Sequence, residues 1–146
     1  MIYSVTLYKN KKNKIIILPN AQDETGLGRS VNQAIVVDVP YNMALLGQKT
    51  KEAFDISVMN TPYSGPYEDV LGRVSGMTNW SRFVKEWLSV WASMNDETKT
   101  YRFLPGKRER GGYSTVKGNE ELYLLPIMAS NEEIGALILN AFENSI

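Results

Sequence analysis

Strict alternation over residues 2–8, IYSVTLY, is the strongest constraint on the fold. Tyr3, Val5 and Leu7 fall on one side of an extended chain, and Ile2, Ser4, Thr6 and Tyr8 on the other. That period of two belongs to a β-strand and fits no helix. The polar run KNKKN (9–13) turns the chain, and KIIILP (14–19) returns as a second strand that Pro19 is expected to stop. The chain therefore opens with a hairpin, and everything after it has to add to, or cover, a sheet. The lysines at the tip fit a charged end that discourages edge pairing.

NAQDETGLGRS (20–30) is expected to be a polar loop. Its GLGRS lacks both glycine-rich phosphate fingerprints, and no helical pattern follows, so the glycines supply turn geometry. AIVVDVP (34–40) is a near-continuous apolar run, as in a central strand, interrupted by Asp38, a carboxylate either at the strand end near solvent or on a functional rim. Beyond Pro40, residues 42–60 carry helical patches that Gly47 is expected to split. Residues 61–79 hold two Pro and three Gly and form the longest irregular stretch, with an aromatic–acidic set of Tyr63, Tyr67, Glu68 and Asp69.

NWSRFVKEW (79–87) places Trp80, Phe83, Val84 and Trp87 at helical spacing behind a capping Asn79 or Thr78. Such an aromatic stripe is more often core than a cofactor box. The pattern then changes to alternation, with Leu88, Val90 and Ala92 on one face and Trp91 on the other. A helix running straight into a strand is expected, followed by a turn at 95–98 and a return strand over 99–105. Residues 106–120 read as a charged, Gly-rich loop, and ELYLLPIM (121–128) as a buried strand. The last helix begins at Ser130, which with Glu133 makes a capping box. Its stripe of Ile134, Leu137, Ile138, Ala141 and Phe142 seals the sheet, with Gly135 allowing a close approach to it. The tally is an α+β fold: a mostly antiparallel sheet of about six strands with three or four helices packed on it, in one domain spanning 1–146.

Composition decides the chemistry. The chain has no His and no Cys. Imidazole triads, thiol nucleophiles, thiolate metal sites and disulfides are excluded, which leaves only carboxylate, Lys, Tyr or bound-metal catalysis to an enzyme of this sequence. Sixteen basic side chains balance sixteen acidic ones, unlike the basic excess of a dedicated nucleic-acid binder. The N-terminal run alternates and has no charged leader, and no apolar stretch approaches the roughly 20 residues of a membrane span. A soluble protein of a reducing compartment, bacterial-type cytoplasm, is expected.

NWSRFVKEW, LSVWASMNDETKTYRFLP, a loop carrying GGY, ELYLLP and SNEEIGALILNAFENS together resemble the immunity proteins of contact-dependent growth inhibition (CDI) systems. The likeness covers the C-terminal half and follows the N-terminal half in outline. It implies a cytoplasmic protein that binds the toxin domain of a large secreted effector one to one and neutralises it over or beside its active site. Such toxins are often nucleases. It implies no catalytic residue, cofactor, metal or direct nucleic-acid contact.

A nuclease cleft is electropositive, so carboxylates and aromatic anchors are the expected answer to it. The candidate acids are Asp23, Glu24, Asp38, Glu52, Asp55, Glu68 and Asp69. The loop set Tyr63, Tyr67, Glu68 and Asp69 is the first choice of toxin-binding surface, and Glu52 with Asp55 the second. The alternative is a nucleic-acid-binding module using Lys11, Lys12, Lys14, Lys107, Arg108 and Arg110. A carboxylate enzyme using Asp38, or Glu68 with Asp69, comes last.

Overall fold

The structure, a computed structural model, describes residues 1–146. Its sheet is built outward from the opening hairpin. β1 (Ile2–Asn10) pairs with β2 (Ile15–Gln22) on one side and with β5 (Trp87–Asn95) on the other. The remaining strands are β3 (Gly28–Ser30), β4 (Ile35–Val37), β6 (Thr100–Glu109), β7 (Gly112–Thr115) and β8 (Leu124–Pro126). The order is β3-β2-β1-β5-β6-β7, with β4 also on β2 and β8 also on β6, and every pairing between these strands is antiparallel.

The alternation sorts the side chains as expected. Val5 and Leu7 of β1, Ile15 and Ile17 of β2, Val90 and Ala92 of β5, and Phe103 of β6 make one buried layer. Two helices close over it, α1 (Met43–Met59) with Leu46, Ala53 and Phe54, and α4 (Asn131–Glu143) with Ile134, Ile138, Ala141 and Phe142. The opposite sheet face is covered only in part. There Tyr8, Ile16 and Leu18 meet Val70 and Leu71 of α2 (Val70–Ser75), Phe83 of α3 (Trp80–Glu86), and Trp87.

Each helix starts on a side-chain cap. Asn42, Asp69 and Asn79 accept from the backbone N–H of Leu45, Gly72 and Arg82, at 2.8, 2.9 and 3.0 Å. Ser130 and Glu133 form the capping box, each backbone N–H donating to the other's side chain at 3.1 Å. A side-chain oxygen at this position satisfies an N–H that the helix itself leaves open.

Several expectations are corrected. β2 runs through Pro19 to Gln22. The Pro19 carbonyl accepts from Val31, so the missing N–H also points away from β1, into the gap between β4 and β3, and the β1 ladder loses no donor. The 20–30 loop contains β3. β4 is a three-residue edge strand, not a central one; Ile35 and Val37 pack on one core and Ala34 on the other, so an edge strand covered on both faces reads as continuously apolar. Gly47 does not split α1. A Cβ there would stand 2.0 Å from the Asn131 carbonyl oxygen, and one at Gly135 2.0 Å from that of Met43, so the two glycines mark where α1 and α4 cross. Gly135 thus meets a helix rather than the sheet.

α2 lies inside the stretch expected to be irregular. Residues 106–115 form the end of β6 and β7, a hairpin turned at Arg110 and Gly111, the latter at a φ of 90°. Residues 121–128 are no buried strand. Glu120–Tyr123 coil into a 3-10 turn, β8 spans three residues, and Leu122 and Met128 are exposed. After α4 the chain re-enters the sheet: Ser145 Oγ donates to the Ser89 carbonyl at 3.0 Å, and Ile146 N–H donates to Gly106 at 3.0 Å.

Candidate functional site

The uncovered part of the second sheet face carries two hollows, which make it a concave face. Its floor is set by the strand residues out of phase with the core. Trp91 of β5 lies between Thr6 of β1 and Leu104 of β6, and Ser93 lies opposite Ser4. Asn20 of β2 ties the floor together, donating from Nδ2 to Thr6 Oγ1 at 3.1 Å, while its carbonyl accepts from the Ser57 hydroxyl. Trp91 is 37% exposed, and a hollow opens on each side of it. One, of about 190 Å³, is edged by Ile2, Asn20, Ser57 and Thr61. The other, of about 290 Å³, lies between Thr6, Ser89, Trp80, Tyr113 and Thr115.

An aromatic cluster holds the wall of the second hollow. Trp80 stacks on Phe83 and Phe83 on Trp87, with centroids 5.6 and 5.3 Å apart and planes within 7° of parallel. Tyr8 meets Phe83 edge-on at 5.1 Å, and Tyr113 Oη donates to the Trp87 carbonyl at 2.8 Å. Burial pushes the Tyr8 phenol up to about 12 and raises Tyr113 as well, with the neighbouring Tyr8 adding to the effect, so both rings stay neutral donors at ordinary pH. The stripe read as core is core at Phe83, Val84 and Trp87; Trp80, 43% exposed, is its surface end.

None of the first-choice residues lines the smaller hollow; the loop is tied to it only where Tyr63 N–H donates to Gln22 O at 2.8 Å, Gln22 and Thr61 being among the lining residues. Their surroundings differ. Tyr63 is buried, its hydroxyl donating to Pro66 O at 2.7 Å. Glu68 pairs with Arg73 at 3.0 Å, and Asp69 caps α2. Tyr67 is 65% exposed, edge-on to Tyr63 at 6.3 Å, with the Arg29 guanidinium 4.4 Å from its ring centroid. Glu52 pairs with Lys49 at 3.2 Å and Asp55 is exposed, both on α1; no ion pair or hydrogen bond joins either to the 63–69 loop.

The other acids are placed as follows. Asp38 stands in solvent at the end of β4, 3.9 Å from Lys14. Glu24 is exposed at a turn that Asp23 organises. Asp23 Oδ1 accepts from the Thr25 hydroxyl at 2.6 Å and from the N–H groups of Thr25 and Leu27, while Oδ2 meets Arg29 at 3.2 Å. The Thr25 hydroxyl bond, supported by those N–H groups and Arg29, holds its carboxyl down at about 2. No three carboxylates converge as a metal site would require. The concave face was the feature missed in the sequence. Its signal was there, since Ser4, Thr6 and Trp91 all fall out of phase with the buried positions of β1 and β5.

The sequence matches no protein-family model and no curated protein. Its fold is similar to that of two solved structures. One is a protein of unknown function from Neisseria meningitidis, at TM-score 0.76 and 16% identity, over 100% of this chain and 96% of that one. The other is a chain of a CdiA-CT/CdiI toxin and immunity complex from Yersinia pseudotuberculosis, at TM-score 0.72 and 13% identity, over 100% of this chain and 98% of that one. At such identities the likeness is one of fold. No helix is long and apolar enough to cross a membrane.

Proposed function

We propose that this chain is an immunity protein of the CDI type. It binds the toxin domain of a cognate effector one to one in the cytoplasm, covers the toxin's active site, and performs no catalysis itself. The toxin is a nuclease in this reading. The observation that carries the proposal is the end-to-end fold similarity to a chain of a toxin and immunity complex, joined to the sequence resemblance of the C-terminal half. The absence of imidazole and thiol points the same way, towards a shaped surface rather than a reactive centre.

The concave face is the surface best suited to the task. Exposed aromatic side chains fixed on a rigid sheet lose little conformational entropy on binding. Trp91 rises from such a floor, and Tyr67 is a second exposed aromatic side chain, held against Tyr63 and Arg29. Glu68 is paired with Arg73 and Asp69 is engaged in the α2 cap, so a change at Asp69 would confound binding with folding.

The test is co-expression with the C-terminal toxin domain of a large effector, sought in the neighbouring reading frames. Growth should be rescued, and a 1:1 complex should elute in size-exclusion chromatography. Trp91→Ala and Tyr67→Ala should each weaken the complex by about thirtyfold, the effect of an anchor worth about 2 kcal/mol, without altering the fold. Toxicity undiminished by the intact chain, with no complex formed, would remove the proposal.

A further inference from the structure

The zero net charge of the chain conceals a separation. Segments 9–14, 82–88 and 106–110 hold nine of the sixteen Lys and Arg but only two of the sixteen Asp and Glu, namely Glu86 and Glu109. They are distant in sequence, yet the fold brings them to one end of the sheet, where the β1–β2 tip, the α3–β5 junction and the β6–β7 hairpin meet. Lys9, Lys11 and Arg108 line a single hollow there of about 240 Å³, with Asn10, Asn13 and Glu86. Arg108 is fixed in place, its Nη1 donating to the Lys85 carbonyl at 3.0 Å and its backbone N–H to Ile146 at 2.7 Å.

Most of these cations are not neutralised internally. Lys14 meets Asp38 at 3.9 Å and Arg82 meets Glu86 at 3.4 Å; the other seven form no ion pair. Glu109 accepts from the Ser114 hydroxyl at 2.8 Å. Unpaired like charges gathered on one end sum to a positive potential that attracts polyanions. An aromatic platform adjoins them: the exposed Trp80 indole donates from Nε1 to the Gly111 carbonyl at 2.9 Å, at the β6–β7 turn next to Arg110. Cations spaced along two hairpins, with a fixed indole beside one of them, match a single strand, which offers phosphates and base faces together. An acidic protein surface would use only the cations.

We propose that this end is a binding site for single-stranded nucleic acid. Phosphates lie on Lys11, Lys12, Lys107, Arg108 and Arg110, and a base rests against Trp80. The cations of this site are none of the proposed toxin anchors, whereas Trp80 shares the larger hollow with Trp91, so the Lys11 and Arg108 changes are the ones that separate this site from toxin neutralisation.

Fluorescence polarisation of a labelled single-stranded oligouridine with the full chain tests it. Binding should weaken with salt, log K falling by about 0.7 per tenfold salt for each phosphate engaged. The double variant Lys11→Glu, Arg108→Glu changes only exposed side chains, and should flatten that slope by about 1.4. Trp80→Leu should weaken binding about fivefold or more, with far-UV circular dichroism confirming that the fold is kept. Inorganic polyphosphate, which has no bases, should compete poorly per phosphate. No polarisation change at low salt, an affinity indifferent to the double charge reversal, or polyphosphate competing as well as the oligonucleotide would each overturn the assignment.

Discussion

Asp23 shows how a single side chain can be structural where its type invites a binding role. It is one of the candidate acids, yet all its accepting capacity turns inward, to Thr25, Leu27 and Arg29. Its folded pKa, near 2, lies below the ordinary 3.8, so its stabilising contribution is present above about pH 4 and is lost as pH falls towards 2. Asp23→Asn should therefore melt below the parent protein at neutral pH, and the gap should close between pH 4 and pH 2 in thermal unfolding followed by circular dichroism. The same distinction separates the first-choice set. Tyr67 is free to be touched, Tyr63 and Asp69 hold the loop, and Glu68 is balanced by Arg73. Residue type and spacing identified the loop, but which members face outward depends on partners brought from elsewhere in the chain.

Among elements, the α1–α4 crossing is the tightest constraint. Gly47 and Gly135 each bring the backbone of one helix against the other, and the missing Cβ atoms would lie within 2.0 Å of carbonyl oxygens. Ala in a helix interior normally gains up to about 1 kcal/mol over Gly. Here the gain should be outweighed by overpacking, which costs about 1–3 kcal/mol. Gly47→Ala and Gly135→Ala should each lower the urea midpoint, and the double variant should fall short of the sum because separating the helices once relieves both clashes. Ser130→Ala, which removes the capping box of α4, should cost about 1 kcal/mol in the same measurement. The sequence placed α4 and its cap correctly because those interactions are local. It divided α1 wrongly because a glycine chosen for a neighbour's sake looks like a glycine chosen to break a helix.

At the scale of the molecule, β1 is the centre: it is hydrogen-bonded to β2 and β5, buried on one face through Val5 and Leu7, and covered on the other at Tyr8. The interior of β1 and the facing residues of β5 should therefore hold the slowest-exchanging amides in native-state hydrogen exchange, while residues 64–68 and 117–119 exchange fastest. Rapid exchange across β1 would contradict this architecture. Charge separation and the concave face also belong to this scale, since neither exists until remote segments meet.

What the sequence by itself determined was the local code. It set the alternation that made β1 and β5, the hairpin returns that made most of β2 and β6, the helix-to-strand change at Trp87, the caps of α3 and α4, and the lack of any imidazole or thiol chemistry. These depend on neighbours within a few positions, so they can be read in one dimension. Only the tertiary structure decided that Pro19 could stay inside a strand, that two glycines were a crossing, that Asp69 was a cap, and that Trp91 stood on an open floor. Each of those depends on which distant backbone lies within a few ångströms, and that distance is set by the packing of the whole core.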